Sequence, residues 1–290
     1  MWIRGVAIAV LGVLGVLSFS ILIFSANGLS FFWLFLELAT LCVIPMFFLG
    51  TGDSILSGLF SYIVVSSVSS SLILCGMISG ELLFLLVVGL ILKFGLFPLW
   101  GWVYKVVLNS NWLVVWSLST FLKSPVLFFP FFLSCGGCSF VNYVCCFTFI
   151  GLAVLFWLYS LNWYTCWCHM MLSSSAALVA MSLVLSSEVL FFIFFIYCLW
   201  CSCVVLFFCL YDDASVGGLG YYFWFCFLLV SIPVSVSLFY KLLMVVGMYS
   251  CWFFVLACWV VYSISEQFYL LKFVMSFSLP KSGGSFVSVV

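Results

Sequence analysis

The chain has 290 residues, of which 68 % are hydrophobic and 5 % charged, and seven Lys and Arg balance seven Asp and Glu. A soluble domain carries about 25 % charged residues, so this chain cannot cover itself with a water-facing surface and is an integral membrane protein. It has no charge run to hold nucleic acid, its single histidine, His169, excludes haem or copper cores built on several His ligands, and its single arginine, Arg4, argues against machines that need one in mid-membrane.

A crossing needs about 20 apolar residues. In chain order the sequence predicts ten spans, at 5–25, 29–49, 55–78, 82–104, 111–134, 140–160, 165–186, 189–210, 220–246 and 249–271. The expected fold is an all-α polytopic bundle forming a single membrane domain over 1–290, with a tail at 273–290 too short to span. Small polar breaks separate the spans, at Asn27-Gly28, Gly50 to Asp53, Asn109 to Asn111, Asn162 and Asp212-Asp213. Loops this short set successive helices antiparallel. The first span reads as an ordinary helix, because no small-residue cleavage site leads into a polar mature domain. Alternation puts Arg4, Lys105, Lys272 and Lys281 on one side and Glu81 and Glu188 on the other. The side with the N-terminus is therefore the inside.

Fifteen cysteines include Cys135-Gly-Gly-Cys138, Cys198-Leu-Trp-Cys201, Cys166 and Cys168. They lie in or beside apolar runs with no converging His or acid, where a free thiol behaves as a small hydrophobe rather than a metal ligand. The excess of Phe, Trp, Val, Leu, Cys and Gly over Gln, His, Thr, Asn and Pro follows codons rich in T and G. Strand-biased mitochondrial genomes write proteins this way, which needs no functional cause.

Four ionisable groups stand inside apolar spans: Glu37, Lys93, Lys123 and Lys241. A lysine at mid-bilayer costs about 2.5–3.5 kcal/mol on insertion scales, and such residues mark ion and proton pathways. Snorkelling accounts for Lys105 and Lys272, but Lys93 and Lys123 are each about 15 Å from either end of their spans. Burial penalises the charged form of a lysine and a nearby carboxylate favours it. A lysine so balanced changes charge when its partner moves or is neutralised. Glu37 is read as the one carboxylate within the spans, giving a row of three lysines and one glutamate bridged by water.

The backbone near these lysines is marked for breaks. Lys93 is followed by Gly95, Pro98 and Gly101, Lys123 by Pro125, and Lys241 is preceded by Pro233 and followed by Gly247. Proline removes a helix hydrogen bond, and broken backbone in lipid is tolerated only where it is buried or lines a wet cavity. Lys93 and Lys241 both fall in the fourth helix of a five-helix set. Two inverted repeats, 1–134 and 135–272, are expected on that ground.

These segments resemble the antiporter-like proton-pump subunits of respiratory complex I. Lys93-Phe94-Gly95-Leu96-Phe97-Pro98-Leu99-Trp100-Gly101-Trp102 is similar to that family's K-x-G-x-x-P-x-H-x-W signature, and Thr120-Phe121-Leu122-Lys123-Ser124-Pro125 to its next lysine helix. The Glu37 helix stands at the matching distance before them, and the likeness runs from about 30 to 250. It implies that Glu37 tunes Lys93, that Lys123 is the central lysine of a hydrated axis, and that Lys241 is the lysine of the second broken helix. It implies a subunit of an NADH:ubiquinone reductase that translocates protons, without redox chemistry of its own. FMN, iron–sulfur clusters and ubiquinone are then expected in other subunits, no cofactor in this chain, and other membrane-arm subunits, lipid and protons as its partners. The mitochondrial inner membrane is the implied location, with the N-terminus in the matrix. The chain departs from the family pattern where Trp100 replaces the His, where Tyr104-Lys105 replaces Pro-Glu, and where Tyr240 replaces the proline before the last lysine. The family's final helix is expected to be missing or cut short.

Two other functions fit the same residues. One is a free-standing cation/proton antiporter of the related type; the other is a structural anchor whose lysines lie in dry ion pairs, a choice that turns on whether Lys123 is sealed. His169, near the start of a span, is read as a proton-exit group or a polar interface contact. Gly58, Ser61 and the run from Ser66 to Ser71 are read as close helix packing.

Overall fold

In the computed structural model, residues 2–26, 28–50, 53–79, 82–133, 138–160, 162–211 and 219–278 are described. They form α-helices, one long 3₁₀ segment and short connections, with no strand among them. The first predicted span is α1 (Trp2–Phe24), and the second is α2 (Leu29–Leu41) continued by α3 (Ile44–Phe47). The third is α4 (Asp53–Ile78). The fourth is broken into α5 (Leu83–Phe94) and α6 (Gly101–Leu108). The fifth runs through α7 (Trp112–Ser119), a 3₁₀ segment (Phe121–Phe128) and α8 (Phe129–Leu133). Then follow α9 (Cys138–Leu158), α10 (Trp163–Ser182) and α11 (Ser187–Tyr211), a ninth span broken into α12 (Leu219–Leu229) and α13 (Val236–Tyr249), and α14 (Phe253–Ser278). The helix therefore continues past the predicted end of the last span, and the tail begins later than 273.

Among the described residues, seven helical stretches are long and apolar enough to cross a membrane: Gly5–Phe24, Leu29–Phe47, Ser54–Ile78, Trp112–Phe131, Ser139–Leu158, Ser187–Tyr211 and Phe253–Met275. The protein is a multi-pass membrane protein. Large apolar side chains such as Leu11, Phe60, Leu206 and Phe268 point outward, as a lipid-facing surface requires. Two of the polar breaks supply helix caps. Asn111 accepts from the Val114 amide at 3.0 Å at the start of α7 and donates to Met46 O at 2.8 Å. Asn162 and Thr165 form a capping box on α10.

The helix that organises the bundle is α10. Every residue from Thr165 to Ser182 is buried, enclosed by α6, α9, α11, α13, α14 and the 3₁₀ segment. It is too polar to stand in lipid alone. Its hydroxyls return to its own backbone, Ser173 to Met170 O, Ser174 and Ser175 to Met171 O, and Ser182 to Val179 O, a pattern that lets a buried helix carry serines without orphan groups. Close packing elsewhere depends on glycine. A Cβ on Gly89 of α5 would meet Ser69 O of α4 at 2.9 Å and Ile73 Cγ1 at 2.9 Å.

Candidate functional site: a line of buried charges

The first pair is Glu37 and Lys93. Lys93 is the last residue but one of α5, where the helix dipole favours a cation. The break follows at once. Gly95 adopts a left-handed conformation (φ 67°), a region open to glycine at little cost, and Leu96 N donates to Ile91 O at 3.1 Å, with Gly95 N to Leu92 O. Pro98 has no amide to continue the helix, Phe97 N donates to Thr148 Oγ1 at 3.1 Å, and Trp102 Nε1 donates to Leu92 O at 3.0 Å. The backbone groups that the break frees are thus met by α9 and α6. Lys93 Nζ lies 4.0 Å from Glu37 Oε2 and has no hydrogen-bond partner among the described residues. Ser70 of α4 donates to the same Glu37 oxygen. The serine run of α4 therefore does more than pack: Ser70 orients the carboxylate and Ser66 donates to Thr40 Oγ1 at 3.4 Å.

Lys123 is 3 % exposed and stands in the 3₁₀ segment, which also contains Pro125. Its ammonium spends all three protons on protein acceptors: Met171 O at 2.7 Å, Ser174 Oγ at 2.8 Å and Tyr197 Oη at 2.7 Å. Tyr197 in turn donates to Ser119 O at 2.7 Å, a carbonyl left free because Lys123 N turns to Thr120 O in the tighter 3₁₀ pattern. No carboxylate is paired with Lys123 among the described residues; α10 and α11 hold it with neutral dipoles.

Lys241 has a partner that the sequence reading did not count. Its Nζ lies 2.7 Å from Glu266 Oε1 on α14, and Glu266 is 5 % exposed. The expectation that Glu37 is the only carboxylate within the spans is therefore wrong. Glu266 lies within the predicted last span, in the polar stretch Ser263 to Gln267 near its end. The third lysine follows its helix break instead of preceding it. Val230 to Ser235 separate α12 from α13, with Pro233 in the gap and Val234 at φ 77°, a strained value for a β-branched residue. Gln267 Oε1 accepts from Ser231 N at 2.8 Å, Ser237 Oγ donates to Leu229 O at 3.0 Å, and Trp200 Nε1 donates to Leu228 O at 2.9 Å. Tyr240, where the family has proline, stacks on Trp200 at 4.5 Å between ring centroids.

Two cavities join the three stations. The first, of about 40 Å³, is lined by Lys93, Lys123, Thr40, Tyr62, Ser66, Ser69 and Ser175 among others. The second, of about 30 Å³, is lined by Lys241, Glu266, Tyr240, Tyr262, Ser173 and Ser174 among others. A buried water needs roughly 10–15 Å³ and two or more polar partners, so each cavity has room for a few. Ser174 bonds Lys123 and borders the second cavity. The order from end to end is Glu37, Lys93, cavity, Lys123, Ser174, cavity, Lys241, Glu266.

His169 lies off this line. It is fully buried on α10, with Nδ1 2.5 Å from Tyr104 Oη of α6, and its Nε2 has no partner among the described residues. It borders neither cavity, and Tyr104, one of the departures from the family pattern, is what it meets. Lys105, beside it, is exposed. Glu188 is exposed in the first turn of α11. Arg4 lies in α1, and Glu81, Cys135, Asp212, Asp213 and Lys281 fall outside the described residues. No group of His, Cys, Asp and Glu suited to a metal occurs among the described residues. Cys201 donates instead to Ser119 Oγ at 3.2 Å.

No family model matches the sequence, and no curated protein sequence matches it. Solved structures do. A chain of respiratory complex I from Thermus thermophilus, with bound aureothin, aligns at a TM-score of 0.74 over 93 % of this chain and 70 % of its own, at 18 % identity. The chain shares its fold with a chain of respiratory complex I. A chain of the membrane-bound sulfane sulfur reductase, an archaeal respiratory membrane complex, aligns at 0.70 over 95 % of this chain and 66 % of its own, at 13 % identity. Both similar chains come from multi-subunit respiratory membrane complexes, and both are longer than this one.

Proposed function

We propose that the chain is a membrane-arm subunit of a proton-pumping NADH:ubiquinone oxidoreductase, corresponding to subunit 2 of the mitochondrial enzyme, and that it relays protons along Glu37, Lys93, Lys123 and Lys241. The observation that carries this reading is the line of buried and part-buried charges, hydroxyls and cavities through the bundle. The likeness of fold to chains of respiratory complexes supports it.

The described line holds three lysines and two carboxylates. Two lysines have a carboxylate close by, so one positive charge is in excess when all are ionised, and Lys123 is the group without an anion. In a medium of low dielectric that excess proton is the least costly to move. Moving Glu37 away from Lys93, or protonating it, removes the attraction that holds a proton on Lys93 Nζ. The proton then passes through water in the first cavity to Lys123 when that amine is neutral. From Lys123 the Ser174 hydroxyl leads to the second cavity and Lys241. The redox reaction, with its FMN, iron–sulfur clusters and ubiquinone, belongs to other subunits in this reading, and the isolated chain oxidises no NADH. The mitochondrial inner membrane, a matrix-side N-terminus and the two inverted five-helix repeats are part of the same proposal. His169 with Tyr104 is a side contact that would serve an exit only if a donor reaches its Nε2.

A structural anchor calls for a sealed Lys123, whereas Lys123 borders a cavity that also contains Lys93. A free-standing antiporter would use the same line without partners. Native-gel separation of gently solubilised mitochondrial membranes, with NADH-dehydrogenase staining and mass spectrometry of each band, tests the choice. Co-migration of the chain with the large NADH-active band is expected. Migration alone or in small oligomers would overturn the assignment in favour of the antiporter.

A further inference from the structure

We infer that Glu266 is a proton-carrying member of the line and its terminal station, loading and unloading Lys241, rather than a fixed counter-charge; this rests on the relay reading above. Three observations converge on it. Glu266 and Lys241 are joined at 2.7 Å, yet both border the inner cavity that reaches Ser174. Lys241 also lines a larger groove of about 380 Å³ between α13 and α14, on the outer side of the pair. Lys241 thus borders both the internal polar space and the groove, while Glu266 borders the internal space alone, which places Glu266 to hold a proton inside the bundle for Lys241.

Tyr262 is the second observation. Its hydroxyl is buried, borders the same cavity and stands beside Ser173 and Glu266. A hydroxyl there can donate to the Glu266 carboxylate or accept from the protonated acid, so it serves either charge state of Glu266.

The third is mechanical. Gln267, adjacent in sequence, donates to Glu266 Oε1 at 3.2 Å and to Leu229 O at 3.4 Å, and accepts from Ser231 N. Glu266 is thereby tied to the α12–α13 break, which carries the positive φ of Val234. A change in the charge of Glu266 alters the bonds that hold that break, and so the position of α13 and Lys241. The proton balance is simple: Lys241 Nζ–H⁺ gives its proton to the Glu266 carboxylate, leaving a neutral amine and a neutral acid, and the acid later returns the proton to Lys241, the member of the pair that lines the groove.

The test uses the assembly that contains the chain, purified, reconstituted in phospholipid vesicles and treated with dicyclohexylcarbodiimide. This apolar reagent adds to a protonated carboxylic acid and rearranges to a stable N-acylurea, but leaves a carboxylate anion untouched. The α13–α14 groove gives it a route from lipid. Labelling of the Glu37 and Glu266 peptides is measured by mass spectrometry at rest and under an imposed pH gradient. Labelling of Glu266 is expected to rise severalfold under the gradient and to fall back when a protonophore is added. Labelling of Glu37 with Glu266 unlabelled, or labelled equally in both states, would overturn the inference and leave the relay through Lys93 and Lys123 standing. Absence of any response at either glutamate, with no proton flux in the vesicles, would remove both. As a second readout, E266Q keeps the volume and is expected to retain assembly while losing proton flux at least tenfold, with partial recovery in E266D; full flux in E266Q would also overturn it.

Discussion

Lys123 and Ser174 meet at 2.8 Å, and Ser174 is also part of the wall of the cavity that holds Lys241. One hydroxyl on α10 therefore connects the two halves of the charged line. Removing it tests whether the connection is used. In S174A the loss of a hydrogen bond to a charged group, about 1.5–3 kcal/mol, is expected to lower proton transfer at least tenfold. Assembly should persist, since Met171 O and Tyr197 still hold Lys123. The measurement is proton flux in vesicles beside the amount of chain recovered in the assembly; unchanged flux would mean protons bypass Ser174.

Tyr197 has a heavier structural duty. It accepts from Lys123 and donates to Ser119 O, the carbonyl freed at the start of the 3₁₀ segment. Y197F leaves that carbonyl buried without its donor, which costs about 1–3 kcal/mol. The expected result is a lower thermal midpoint for the solubilised assembly as well as reduced flux, whereas S174A changes flux alone.

Glu37 and Lys93 stand 4.0 Å apart. At that separation the attraction is about 4 kcal/mol for an effective dielectric constant of 20, reduced by the partial exposure of Glu37. E37Q keeps an oxygen for the Ser70 hydroxyl, so folding is expected to survive. Proton flux should fall at least about tenfold, the equivalent of about 1.4 kcal/mol in a barrier. Flux equal to the parent protein would show that Glu37 does not control Lys93.

Gly89 is a packing residue, away from the chemistry. A leucine there would run into Ser69 O and Ile73 of α4, and overpacking of this kind costs about 1–3 kcal/mol. G89L is expected to lower the amount of chain recovered in the assembly and to move α4 relative to α5, which carries Ser70 away from Glu37. Normal recovery with normal flux would show that α4 and α5 are less tightly locked than their backbone approach implies.

Much of this was written in the sequence because membrane physics leaves few choices. Apolar runs broken by short polar stretches must become helices, seven stretches among the described residues being long and apolar enough to cross a membrane, and a charge within a run must be paid for by burial in the bundle. Gly95 and Pro98 after Lys93 and Pro233 before Lys241 fall in gaps between helices, because proline cannot donate and a backbone freed in lipid needs protein partners, whereas Pro125 lies within the 3₁₀ segment and Gly247 within α13. What the sequence could not decide was which groups face one another. Ser70 looked like a packing residue until α4 set it against Glu37, and α10 looked like one more span until its neighbours enclosed it on every side. Glu266 stands within the predicted last span and was not counted there; only the packing of α14 against α13 sets it against Lys241. Hydropathy along the chain reports only whether a segment leaves water. The pairing of Lys241 with Glu266, the neutral cradle of Lys123 and the two cavities depend on helix rotation and distance, which are fixed by side-chain packing between segments far apart in sequence.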